Sequence, residues 1–99
     1  MINSVVLVGR LTRDPELRKT NSGMSVASFT LAVDDSFRGQ NGEKVTIFMP
    51  VSVWGKSADN VAKFTRKGSL VGVTGRLTQR KYVRRTDNVE VSVTEVSAA

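Results

Sequence analysis

The chain has 99 residues, 15 Lys and Arg against 9 Asp and Glu, and a formal net charge of +6. It contains neither cysteine nor histidine, which excludes thiolate nucleophiles, Ser-His and Cys-His dyads, zinc fingers, haem ligation and disulfide staples. No serine has lysine three positions on, so a Ser-Lys dyad is excluded too, and binding leads catalysis as the expected activity.

Most of the chain reads as short strands separated by turn residues. Val5-Val-Leu-Val8 is apolar on both faces, Gly9 interrupts it, and Asp14-Pro15 closes the segment. An apolar stretch of this kind, followed by glycine, suits a barrel stave or a subunit contact. After the turn signal Asn21-Ser22-Gly23, the residues Ala27, Phe29, Leu31 and Val33 alternate with Ser28, Thr30 and Ala32, which predicts a half-buried strand with its odd positions inward.

A polar stretch, residues 34–42, ends in Asn41-Gly42, a hairpin signal, and a third strand is predicted over 43–54. Its odd positions Val45, Ile47, Met49, Val51 and Val53 form the predicted core face. Phe48 and Trp54 fall on the opposite, otherwise polar face, with Pro50 marking a possible bulge between them. One helix is predicted next, with Ser57 as N-cap, Val61 and Phe64 on its apolar side, Arg66 and Lys67 in its last turn and Gly68 as its stop.

The fourth strand starts at Leu70. Val71, Val73, Gly75 and Leu77 alternate with Gly72, Thr74 and Arg76, and the second face continues through Thr78, Arg80, Tyr82 and Arg84. Thr86-Asp87-Asn88 is a predicted turn, and Val89, Val91 and Val93 alternate with Glu90, Ser92 and Thr94 in a final strand. With no linker or repeat, residues 1–99 read as one all-β domain in the order β-β-β-α-β-β. That is the order of a five-stranded OB-fold Greek-key barrel with one short helix between strands 3 and 4; SH3-like barrels and split sandwiches share parts of the pattern.

Apolar runs are far shorter than the roughly 18 residues a membrane helix needs. The start Met-Ile-Asn-Ser lacks the features of a signal peptide, so a cytosolic location is expected. Charge is uneven: residues 1–50 hold a net +1 and residues 51–99 a net +5, with Arg76, Arg80, Lys81, Arg84 and Arg85 forming an acid-free run. Phe37, Phe48, Trp54 and Tyr82 each have cations close in sequence, as in Phe37-Arg38, Trp54-Gly-Lys56 and Arg80-Lys-Tyr82. Aromatic rings interleaved with cations suit unpaired nucleic acid, because bases stack on the rings while Lys and Arg neutralise phosphates.

Five segments then carry a family resemblance: Val6-Leu-Val-Gly-Arg-Leu-Thr-Arg-Asp-Pro-Glu-Leu-Arg18, Phe29-Thr-Leu-Ala-Val33, Val53-Trp-Gly-Lys56, Lys67-Gly-Ser-Leu-Val-Gly-Val-Thr-Gly-Arg-Leu77 and Thr94-Glu-Val96. Together they resemble the bacterial single-stranded DNA-binding protein family over nearly the whole chain. The resemblance implies an OB-fold homotetramer that coats single-stranded DNA during replication, recombination and repair, without a cofactor, metal or catalytic step. It implies base stacking on Phe37, Phe48, Trp54 and Tyr82 and phosphate contacts from Arg38, Lys56, Arg80 and Lys81, with Arg10, Arg18, Arg66 and Lys67 as further cations. Lys19 stands where many members carry an aromatic residue. The family's Gly/Gln/Pro-rich tail and acidic tip do not occur before Ala99, so recruitment of replication and repair enzymes through that tip is not expected of these residues.

A cold-shock RNA chaperone is disfavoured because the aromatic-rich RNA-binding strand motif of that family is absent, and two other readings compete. One is a primosome-type OB-fold accessory protein acting mainly through protein contacts. The other is a nuclease with a metal at Asp34-Asp35 or at Asp14 with Glu16. Adjacent residues on a strand point to opposite faces, which makes Asp34-Asp35 a poor chelating pair.

Overall fold

The computed structural model describes residues 1–38, 42 and 44–98, with the backbone alone at 36–38. Seven elements follow in chain order: β1 (Val5–Leu11), β2 (Glu16–Lys19), β3 (Ser25–Arg38), β4 (Lys44–Trp54), α1 (Lys56–Phe64), β5 (Leu70–Val83) and β6 (Glu90–Ala98). The sheet runs β1-β5-β6-β4-β3-β2, and a further pairing of β1 with β3 closes five of the strands into a barrel. The expected OB-fold order is therefore present, with the short β2 added along the edge of β3. Four consecutive exposed residues, Glu16 to Lys19, give β2 no apolar alternation by which it could be read.

Closure happens at one point. Val5 to Arg10 pair with β5, and Arg10 and Leu11 pair with Ala32 and Leu31 of β3. Gly9 does not interrupt β1; it lets the strand pass tightly over β3, where a Cβ would meet the Ala32 carbonyl oxygen and Leu31 Cγ. Gly75 is held in the same way against the Ser97 carbonyl. The N-terminal segment continues this edge through the Asn3 side chain, whose amide donates to Leu77 O and whose oxygen accepts from Leu77 N–H, each at 2.9 Å.

Inside the barrel, Leu11, Ala27, Phe29, Leu31, Val51, Val53, Val73 and Val96 form the core with Ala58 of the helix. Fully burying one Leu, Val or Phe side chain contributes roughly 1.5–3 kcal/mol, so this cluster dominates folding. The inward alternation predicted for 27–33 is present, but Val45 and Ile47 are 37% and 43% exposed. Their half of β4 pairs with β3 but lies beyond the β6 pairing, which is confined to Val51 to Val53, so among the described residues no opposing strand covers its inward face.

The helix differs from expectation at both ends. Gly55, with φ of 77°, is the N-cap instead of Ser57, and Ala58 N–H donates to its carbonyl at 3.0 Å. Phe64 is the last helical residue, so Arg66, Lys67 and Gly68 lie beyond the helix, and Lys63 is the cation in its last turn. The stripe against the barrel is Ala58, Val61 and Thr65. That spacing carries Phe64 round the side of the helix, where it is 72% exposed with Lys63 Nζ 5.4 Å from its ring centroid.

The β5–β6 tip is closed by Asp87. Its carboxylate accepts from Arg84 Nη2 at 2.6 Å, from Arg84 Nε at 3.1 Å and from the Val89 amide at 3.2 Å. Asn88 at φ 56° completes the turn. The Asn41-Gly42 turn signal lies largely outside the described residues.

Two measurements check this account. Gly9→Ala is expected to cost about 1–3 kcal/mol, because backbone must move, whereas Gly72→Ala, whose Cβ would meet only Val8 Cγ2 at 3.9 Å, is neutral within about 1 kcal/mol; calorimetry of both compares them. The Arg84 guanidinium, and then the Val89 amide, hold the Asp87 carboxyl below its ordinary range. A lowered folded value makes its contribution complete above the ordinary aspartate range near ~4 and lost as pH falls through the lowered value. Protection of the Val89 amide, its exchange rate relative to that of a free amide at the same pH, is thus constant between neutrality and about pH 5 and is lost only under stronger acid.

Candidate nucleic-acid interface

The register fixes which side chains share the outer face. In the β3–β4 pair, Val26 faces Trp54, Ser28 faces Ser52, Thr30 faces Pro50 and Ala32 faces Phe48. Pairing runs unbroken through Pro50, so no bulge separates Phe48 from Trp54, and the irregularity falls between Asp34 and Arg38 instead. Pro50 also lies outside the parallel β4–β6 pairing, which spans Val51 to Val53, so its missing N–H costs that ladder nothing. Phe48 is 63% and Trp54 38% exposed.

Neighbouring strands extend the face in both directions. Arg18 of β2 pairs with Val26, giving a row Arg18, Val26, Trp54, in which Val26 is fully covered although it lies outside the core cluster. On the other side Ser52 pairs with Ser97, and Ser97 with Arg76. Thr78 pairs with Glu95, Arg80 with Val93 and Tyr82 with Val91. Val91 and Val93 thus share the outer face with Tyr82, which is 46% exposed, while Val96 and Ala98 supply the core side of β6.

The structure therefore brings Phe48, Trp54, Tyr82, Arg18 and Arg80 onto one face. Lys56 follows closely as the exposed first residue of α1. Lys81 points to the opposite side of the hairpin, as neighbours on a strand must, and its Nζ lies 3.5 Å from Glu90 Oε1. Arg10 shares a register row with Ala32 and Phe48, and its Nη1 donates to Gly68 O at 3.0 Å. Arg66 Nη1 bonds the carbonyls of Ala62 and Thr65 at the helix end, and the Lys67 amide donates to Asp14 Oδ1 at 2.8 Å, so these two gather at the end of the barrel. The side chains of Phe37 and Arg38 lie outside the described residues.

A groove of about 470 Å³ crosses this face between Arg13, Arg18, Ser28, Pro50, Trp54 and Arg80, and a second hollow of about 400 Å³ adjoins Arg76 and Ser97. Arg13 and Glu95 line these hollows although nothing in the sequence singled them out, and Arg76 stood out there only as part of the basic run. Arg76 had a detectable signal, since it shares the strand parity of Arg80 and Tyr82. Arg80 Nε lies 3.5 Å from Glu95 Oε1, longer than a strong charge-assisted bond of about 2.7–2.9 Å, and its own side chain is 67% exposed, so the guanidinium stays open to a further anion. Among the described residues no three or more carboxylates gather as a metal would require, and Asp34 instead contacts Lys44 Nζ at 2.9 Å and Thr46 Oγ1 at 3.4 Å. No helix among those residues is long and apolar enough to cross a membrane.

The chain has counterparts among known proteins. Residues 2–99 match the model of the single-strand binding protein family. The chain is 55% identical over 96 residues to a single-stranded DNA-binding protein of Lactiplantibacillus plantarum, an alignment covering 97% of this chain and 48% of the relative. It is 54% identical over 98 residues to single-stranded DNA-binding protein 2 of Listeria monocytogenes, covering 99% of this chain and 61% of that one. The corresponding protein of Streptococcus pneumoniae is 53% identical over 98 residues, with 99% and 62% covered. The chain thus spans about half to three fifths of the length of these relatives. With a family match over nearly its whole length and relatives above half identity, the chain belongs to the single-strand binding protein family.

Proposed function

We propose that this chain binds and coats single-stranded DNA, largely without regard to sequence and without catalysis, in the cytosolic work of replication, recombination and repair. The observation that carries the reading is the common outer face of Phe48, Trp54 and Tyr82, with Arg18 and Arg80 at the groove and Arg76 at the adjoining hollow. Three rings on one sheet face offer bases a stacking surface that duplex DNA, with its bases already stacked, cannot use. The cations supply phosphate neutralisation, which makes affinity fall steeply with salt. Family membership and the names of the relatives support the same substrate.

The proposed assembly is a homotetramer. Val6 and Val8, 70% and 61% exposed on the outward side of β1 beside Thr74 and Gly72, give it an apolar contact surface.

Titrating Trp54 fluorescence with oligo-dT tests the substrate. Quenching that weakens with added salt and is absent with duplex is expected, and tighter duplex binding would overturn the proposal. Trp54→Ala or Phe48→Ala should each weaken binding by about 1–3 kcal/mol while leaving the thermal transition nearly unchanged, since neither belongs to the core. For the assembly, light scattering of the wild type should give four chains per particle and Val6→Lys with Val8→Lys a smaller particle; a monomeric wild type refutes it.

A further inference from the structure

Glu95 occupies a place where a track for phosphates alone would carry a cation. It lies on the outer side of β6, opposite Thr78, with Arg76 and Arg80 on the adjoining strand. Its side chain is only 17% exposed, and it lines both the groove and the adjoining hollow, as Trp54 does. A carboxylate and an indole therefore stand together at the boundary the two hollows share. The Glu95 backbone is fixed by its strand pairing and by Thr78 Oγ1, which donates to the Glu95 carbonyl at 3.4 Å. Its carboxylate has a long contact with Arg80 Nε, 3.5 Å, where a strong charge-assisted bond would measure about 2.7–2.9 Å. Acceptor capacity thus remains for a ligand.

An ionised carboxylate can only accept hydrogen bonds. Cytosine, adenine and guanine offer it an exocyclic amino group, whereas thymine presents two carbonyls flanking a single N–H. We propose that Glu95 reads the edge of the base stacked on Trp54, accepting a hydrogen bond from an exocyclic amino group and disfavouring thymine at that position. The same charge repels phosphate, so it turns the base, rather than the backbone, inward. This rests on the single-strand binding reading above and adds one discriminating contact to an otherwise indifferent surface.

Oligo-dC and oligo-dT of equal length, titrated against wild type, Glu95→Gln and Glu95→Asp at two salt concentrations, test it. Glutamine keeps the size but adds a donor that thymine carbonyls accept. The ratio of dC to dT affinity is expected to fall about fivefold or more in Glu95→Gln, and to keep the wild-type direction in Glu95→Asp. A ratio unchanged while both affinities shift together, with an altered salt slope, would mean that Glu95 merely positions Arg80 and would overturn the proposal. Wild type binding neither oligonucleotide would instead refute the single-strand reading, and the proposal with it. Thermal melting of both variants identifies any loss that comes from unfolding.

Discussion

The crossing of β1 over β3 is the constraint on which the rest depends. Two residue pairs, Arg10 with Ala32 and Leu11 with Leu31, turn an open sheet into a barrel, and they form only because Gly9 brings no side chain to the crossing. Closure places Leu11, Leu31, Val51 and Val96 in one interior. Once the interior is fixed, strand alternation commits the other side chains of β3, β4, β5 and β6 to the exterior. The outer aromatic face is therefore a by-product of core packing: Phe48 and Trp54 face outward because Met49, Val51 and Val53 face inward.

That dependence explains what could be read in advance. The alternation in 27–33, the inward Val51 and Val53 and the outward Phe48, Trp54 and Tyr82 follow from local period-two patterning, and all are found. Periodicity does not say where a barrel ends, so Val45 and Ile47 share the inward parity yet lie beyond its mouth. Strand β2 exists because β3 offers it an edge, a non-local cause absent from Glu-Leu-Arg-Lys itself. Phe64 was misplaced for a similar reason: a spacing of three fits an apolar stripe, but docking chose Ala58, Val61 and Thr65. Lys81 is the opposite case, since its adjacency to Arg80 already required opposite faces.

The outer face mixes signs. Glu16, Asp14 and Glu95 lie among Arg13, Arg18 and Arg80 around the groove. Of these, Arg80 and Glu95 are in contact, and the acids placed among the cations keep the positive field from accumulating. The outward charge is consequently patterned at the scale of one residue, finer than the net +5 of the second half of the chain suggests.

Strand β2 has a further consequence. It caps the free margin of β3 with four residues, all solvent-facing, of which Glu16, Arg18 and Lys19 are charged. A bare margin would offer a row of unpaired amides and carbonyls to any other strand. A brief, charged border instead makes accretion of sheet upon sheet unfavourable, so copies of this barrel can be crowded together without fusing into a continuous fibre.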